Sequence, residues 1–113
     1  MNTTGIGRRG EDEACKYLKS KGYTVLKRNY RAARGEIDII AKKDRHISFV
    51  EVKTRKNINF GYAFEAVNRD KQRRIRSAAS AFIMAYHDYE DISFDVCEVY
   101  TESLRINYIE NAF

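Results

Sequence analysis

The chain contains no proline, so the strongest breaker of helices and strands is missing and element boundaries must be read from glycine, polar clusters and hydrophobic periodicity. It has only two cysteines, Cys15 and Cys97, and two histidines, His46 and His87. Two cysteines make no disulfide framework, and neither has a second Cys or His at zinc-ligand spacing. Both read as small core residues in a reducing compartment. The histidines stand alone in the sequence, which gives no support to a zinc site or a histidine-based nuclease, and both are expected to be surface or structural. No serine or cysteine sits in a nucleophile-elbow setting, so acyl transfer has no support either. No apolar run approaches the roughly 20 residues needed to cross a bilayer, and the first fifteen residues hold no apolar stretch of signal-peptide length. A cytoplasmic protein without a membrane partner is expected, with the Asn2-Thr3-Thr4 sequon idle.

What the chain has in excess is positive charge. Lysine and arginine number 21 against 16 acidic residues, a net charge of +5 and a pI near 9.3, which favours a polyanionic partner. At 113 residues a single domain over 1–113 is expected, with room for one core and not for a second.

Between Gly7 and Lys21 the residues Ala14, Cys15 and Leu18 recur at helical spacing, with Asp12, Glu13, Lys16 and Lys19 turned outward. Tyr23 to Tyr30 alternates as a strand and Arg31 to Gly35 reads as a turn. Glu36 to Ala41 and His46 to Thr54 are two β-rich runs joined by polar Lys42 to Arg45. From Asp70 to Tyr86 the set Ile75, Ala78, Ala79, Phe82, Ile83 and Tyr86 predicts a second helix. Ile92 to Tyr100 and Leu104 to Ile109 add two strands. The order α-β-β-β-α-β-β predicts an α/β domain, a central mixed sheet of about five strands flanked by helices. Short loops make antiparallel neighbours, and the helical link between the third and fourth strands permits a parallel crossover.

Strand side chains alternate, so Glu36, Asp38 and Ile40 are expected on one face and Ile37, Ile39 and Ala41 on the other. In the next strand Phe49, Glu51 and Lys53 oppose Val50 and Val52. Apolar residues on both faces mark strands covered by helices on both sides, where charge needs a reason. With neighbouring strands about 4.8 Å apart, Asp38 and Glu51 can converge on one hard cation beside Lys53. Glu11 lies on the inward stripe of the first helix, with Ala14 and Leu18, and can bring a third carboxylate to the same place. The competing explanation is ordinary cross-strand ion pairing where strands leave the core, and for Glu36 that explanation is preferred.

Gly10-Glu11-Asp12, Gly35-Glu36-Ile37-Asp38-Ile39-Ile40-Ala41, Phe49-Val50-Glu51-Val52-Lys53-Thr54-Arg55, Phe94-Asp95-Val96 and Ile109-Glu110-Asn111-Ala112-Phe113 together resemble the YraN-like family of bacterial proteins, over nearly the whole chain. That family is placed in the restriction-endonuclease-like superfamily, near Holliday junction resolvases. Its PD-(D/E)xK signature matches Asp38 followed thirteen residues later by Glu51-x-Lys53, with Ile37 where the signature carries proline. The resemblance implies Asp38 and Glu51 as ligands of Mg²⁺ or Mn²⁺, the carbonyl of Val52 as a further ligand, Glu11 as the helix-borne acid and Lys53 as the basic partner. It also implies DNA, branched DNA in particular, as substrate; resolvase-like proteins often pair as symmetric homodimers, but no sequence feature here fixes a dimer.

The implied chemistry suits the residues. Phosphodiester hydrolysis needs charge neutralised on the phosphate and a hydroxide-like nucleophile, and Mg²⁺ takes oxygen ligands while zinc is disfavoured without His or Cys. Whether Lys53 orients the water or removes its proton stays open at this level. So does the rival, a non-catalytic nucleic-acid-binding or assembly protein that keeps the nuclease fold.

Arg69, Lys71, Arg73, Arg74 and Arg76 crowd the start of the second helix, where the macrodipole disfavours cations by a few tenths up to about 1 kcal/mol each. A bound polyanion relieves that. Arg8, Arg9, Arg31, Arg34, Arg55, Lys71, Arg73 and Arg74 are the expected nucleic-acid contacts, against the plainer reading of a solvated basic face offset by Asp70 and Glu65. Tyr30, Phe60 and Tyr62 suit base stacking, but core packing is preferred for each. Gly5-Ile6-Gly7-Arg8-Arg9-Gly10 has the spacing of dinucleotide-binding glycines yet follows no strand, so that role is rejected. Gly7 and Gly10 are expected to let the helix approach the sheet or the substrate.

Overall fold

A computed structural model describes residues 5–56 and 67–113, with side chains from Arg8 onward. The elements are α1 (Gly5–Ser20), β1 (Thr24–Ala32), β2 (Gly35–Lys43), β3 (His46–Arg55), α2 (Arg69–Ala85), β4 (Asp91–Tyr100) and β5 (Arg105–Ile109). The strands form a five-stranded sheet in the order β1-β2-β3-β4-β5. Every neighbouring pair is antiparallel except β3 and β4, which run parallel and are joined across α2. The α/β class, the element order and the mixed sheet are those expected. None of the described helices is long and apolar enough to cross a membrane.

Each helix covers one face. The α2 stripe of Ile75, Ala78, Ala79 and Phe82 packs on Ile37, Ile40, Phe49, Phe94 and Val96. Its first turn is fixed by Asn68, whose side-chain oxygen accepts from the Lys71 amide at 2.8 Å, the usual service of an Asn cap. On the opposite face Ala14, Cys15 and Leu18 of α1 pack on Ile39, Ala41, Val50, Cys97 and Val99. Both cysteines are core residues, as expected, and burial pushes the Cys97 thiol up to about 12, so it is inert near neutral pH.

Two close approaches hold this layering together. A Cβ on Gly10 would stand 2.4 Å from Thr54 Oγ1, so α1 lies hard against β3, as anticipated for that glycine. A Cβ on Gly35 would stand 1.7 Å from the carbonyl oxygen of Arg74, so the β1–β2 hairpin lies backbone to backbone on α2. Gly35→Ala must lift the hairpin off the helix. A loss of about 1–3 kcal/mol, the scale of core overpacking, is expected as a lower urea midpoint at unchanged slope. An unchanged midpoint would show that the contact is not maintained in solution.

The sheet corrects the expected pattern around β2, whose end takes in Lys42 and Lys43, paired with Ile47 and His46 instead of lying in the connecting loop. The turn before β2 is not Arg31 to Gly35: Ala32 pairs with Gly35, leaving only Ala33 and Arg34 between strands, with Ala33 left-handed at φ 55. A further correction concerns Ile37, which packs with Ile40 on the α2 side while Ile39 and Ala41 pack on the α1 side. The common face expected for Ile37, Ile39 and Ala41 is therefore broken at Asp38. The β2–β3 ladder ends at Ile39–Val50, and beyond it the Asp38 carboxylate accepts the Val52 N–H at 2.7 Å. On the other flank Asn29, between the Arg28–Ile39 and Tyr30–Ile37 pairs, is left-handed at φ 51.

Candidate metal centre and basic surface

The broken ladder puts two carboxylates together. Glu51 follows Val50, the last β3 residue paired with β2, and is 5% exposed. Asp38 lies across the gap. Burial first, then the Glu51 charge and a hydrogen bond with it, push Asp38 up from 3.8 to about 8. The Val52 amide pulls the other way, and Glu11 adds a smaller upward push. A carboxyl this buried beside a second carboxylate is held above the usual carboxylate range.

The cation facing them comes from α2. Lys71 Nζ stands 3.0 Å from Glu51 Oε2. Burial alone would lower its pKa, but Glu51, and Asp38 behind it, outweigh that and hold the ammonium above its ordinary value. Lys53, expected in this position, is partly buried two residues beyond Glu51 and opposite Glu98 in the parallel β3–β4 register.

Glu11 is 9% exposed and is held by β1: Oε1 accepts from Asn29 Nδ2 at 3.2 Å and lies 3.6 Å from Arg28 Nη2. The structure thus joins Asp38, Glu51 and Lys71, and keeps Glu11 beside them in its own pair with Asn29 and Arg28. Among the described residues no three Asp, Glu, His or Cys side chains gather as a metal-binding group. Glu36, as preferred from sequence, is exposed and paired with Arg31 at 3.4 Å.

Arg55 leans inward, its Nη2 3.9 Å from Glu98 Oε2. Glu98 is fully buried and accepts from Asn107 Nδ2 at 2.8 Å. Arg8, Arg9, Arg31, Arg34, Arg73 and Arg74 are exposed, and Arg73 and Arg74 pair with Asp70 at 3.3 and 3.4 Å. Tyr30 meets Phe82 edge-on in the core; Phe60, Tyr62 and Glu65 lie outside the described residues.

His46 has partners the sequence does not suggest, with Nδ1 2.6 Å from Asp91 Oδ1 and Nε2 2.7 Å from Ser93 Oγ. The order is that of an acid, base and nucleophile chain, but Ser93 is 4% exposed and closed to a substrate, so the trio is a clamp between β3 and β4. His87 Nε2 lies 3.0 Å from the Met84 carbonyl at the end of α2. Asp95 accepts from Tyr108 Oη and from the Asn111 amide, and Phe113 packs on Phe94. The two C-terminal motifs singled out in the sequence therefore fasten the chain end to β4.

Lys71 was placed by sequence only among surface phosphate contacts, and Asn29 and Arg28 were not singled out. Nothing local marks them: Lys71 reaches Glu51 through a crossover, and Asn29 carries only its ordinary tolerance of left-handed backbone.

The family model that matches the chain is described as "Uncharacterised protein family UPF0102" and spans residues 10–99, a range containing Glu11, Asp38, Glu51, Lys53 and Lys71. The chain is 49% identical over 114 residues to a UPF0102 protein of Clostridioides difficile (strain 630), and 45% identical over 118 residues to one of Caldicellulosiruptor saccharolyticus, 100% of both chains being covered in each case. A UPF0102 protein of Prosthecochloris aestuarii is 50% identical over 95 residues, 83% of this chain and 75% of that one. With a family match over most of its length and relatives this similar end to end, the chain belongs to the UPF0102 family.

Proposed function

We propose that this protein is a metal-dependent nuclease of the restriction-endonuclease-like kind, hydrolysing phosphodiester bonds of DNA with Mg²⁺ or Mn²⁺. Branched DNA is the substrate form implied by the resemblance to a family placed near Holliday junction resolvases. The observation that carries the reading is the Asp38–Glu51 pair: two acids from neighbouring strands meet where the ladder opens, with a single ammonium, Lys71, against them.

The donor set suits the ion. Both groups are hard oxygens with no thiol or imidazole among them, and Mg²⁺ is commonly held by one or two carboxylates while keeping several waters. Asp38 and Glu51 would hold it. Val52 would help, because the N–H and C=O of a strand residue leave by the same edge and its N–H already faces Asp38. Bound there, the ion would supply charge neutralisation at the phosphate and a lowered pKa for an attacking water.

The chain's own groups then have defined tasks. Asp38, whose carboxyl burial holds above its usual range, would release its proton to solvent. Lys71, released from Glu51, turns its ammonium to a phosphate oxygen. Lys53 stands two residues along the same strand with an amine to orient the water, and the exposed arginines hold the backbone.

One observation favours the alternative of a nucleic-acid-binding protein without turnover: Glu51 is paired to Lys71 and Asp38 accepts the Val52 N–H, so both acids have partners without a metal. Incubation with fork, four-way and single-stranded DNA under Mg²⁺ or Mn²⁺, beside Glu51→Ala and Lys53→Ala, decides between them. Cleavage by the wild type that both variants lose supports the nuclease. Salt-sensitive binding with no cleavage on any of the DNAs sinks it in favour of the binder.

A further inference from the structure

Beside the acidic pair, between the tip of the β1–β2 hairpin and the first two turns of α2, lies a cleft of about 430 Å³. Arg31, Arg34, Glu36, Lys71, Arg74 and Ile75 line it. Four cations face one carboxylate. Arg31 is paired with Glu36, Arg74 with Asp70 and Lys71 with Glu51, while none of the ion pairs among the described residues involves Arg34, which sits at the rim on the turn.

The cleft is not only basic. Ala32 and Ala33 of the hairpin tip give it an apolar wall, and Ile75, 2% exposed, closes its floor. Its shape is fixed, because Gly35 rests directly on the Arg74 carbonyl and Ala33 is held left-handed. Its volume falls within the roughly 300–1,000 Å³ of clefts that enclose a small organic ligand, a class that includes a single nucleotide.

A paired duplex offers such a cleft only its phosphates, since its bases stay stacked inside. An unpaired nucleotide offers a phosphate and a base that can lie on apolar side chains and guanidinium planes. Lys71 lines the cleft and also touches Glu51, so a nucleotide held there has its phosphate next to the acidic pair. We infer that this cleft binds one unpaired nucleotide of a nucleic acid, its phosphate on Arg34 and Lys71 and its base against Ala32 and Ala33 of the hairpin tip. Unpaired structure, not sequence, is then what the protein selects. The inference rests on the reading that the ligand is a nucleic acid, and is independent of whether the bond is cut.

The test is fluorescence anisotropy of the full chain at low salt with EDTA throughout, so that binding alone is read. Three labelled DNAs are compared: a single strand, its fully paired duplex, and the same duplex with one bulged nucleotide. The single strand and the bulged duplex are expected to bind about tenfold tighter than the paired duplex, the scale of one base stacked on protein. Arg34→Ala, an exposed turn substitution checked for an unchanged melting curve, is expected to remove most of that preference, weakening the single strand and the bulged duplex several times more than the paired duplex, which loses one phosphate contact. Equal affinity for all three DNAs overturns the inference, as does an Arg34→Ala variant that weakens all three alike. If wild type shows no preference yet cleaves DNA with metal, the nuclease reading stands and the cleft assignment falls. If no DNA binds, the cleft assignment falls, and cleavage with metal decides the nuclease reading by itself.

Discussion

A protein carrying Asp38→Asn is expected to lose Mn²⁺ binding in titration calorimetry, yet to be more stable than the wild type in metal-free buffer above pH 8. The unfolded chain releases the Asp38 proton near the ordinary value of 3.8, whereas the folded chain keeps it to about 8. Across that window the folded state binds more protons than the unfolded one, so stability falls as pH rises. The contribution is fully present below about pH 4 and gone above about pH 8. Its upper bound, at 1.36 kcal/mol per pKa unit, is on the order of 5 kcal/mol. An asparagine imitates the protonated acid: its carbonyl can accept the Val52 N–H, and it brings no second charge to Glu51. Urea titrations over the window should show the wild type declining with pH while the variant loses this component of the decline. Metal reverses the ranking, because binding requires the carboxylate and releases its proton. A wild type whose stability rose toward pH 8, or an Asp38→Asn variant that bound Mn²⁺ as well as the wild type, would contradict this account of the pair.

Removing the other partner acts in the opposite sense. Lys71→Met leaves Glu51, 5% exposed, facing Asp38 with its cation gone. Breaking a fully buried pair costs about 3–5 kcal/mol. Lys71 is 35% exposed on its side chain, so solvent screens part of the interaction and about 1–3 kcal/mol at neutral pH is the expected loss without metal. Mn²⁺ should bind more tightly to the variant, since the ion no longer displaces an ammonium, and saturating metal should recover much of the lost stability. If the protein is the nuclease proposed, cleavage should nonetheless fall, because the same ammonium would serve the phosphate. Tighter metal binding joined to slower turnover is the signature of a cation that competes in the resting state and assists in the working one. Weaker metal binding in Lys71→Met would mean that Lys71 shapes the site instead of occupying it.

The outline of the fold could be read from periodicity because each element carries its own signal. Ile75, Ala78, Ala79 and Phe82 mark a buried helical stripe, and apolar residues on both faces of β2 and β3 announce helices on both sides of the sheet. The phase of β2 could not be read. Alternation assumes an unbroken ladder, and here the ladder stops at Ile39 because a side chain, not a backbone carbonyl, takes the next amide. The site was half legible for a similar reason. Asp38 and Glu51 sit on adjacent hairpin strands, where register follows from a short loop. Lys71 meets Glu51 only through the packing angle of α2, and Glu11 meets Asn29 only through the closeness of α1 to the sheet at Gly10. His46 finds Asp91 across the parallel β3–β4 pair, a contact no short spacing encodes.

The bond from the Val52 amide to Asp38 has a bearing on ion choice. An oxygen that already accepts a backbone hydrogen has less electron density to give, so Asp38 is better placed to offer an ion one oxygen than both. Calcium collects six to eight oxygens and often grips a carboxylate by both. A carboxylate with one hand occupied is poorly suited to that embrace, and the protein should discriminate against the larger ion in favour of small ones that are content to stay mostly hydrated.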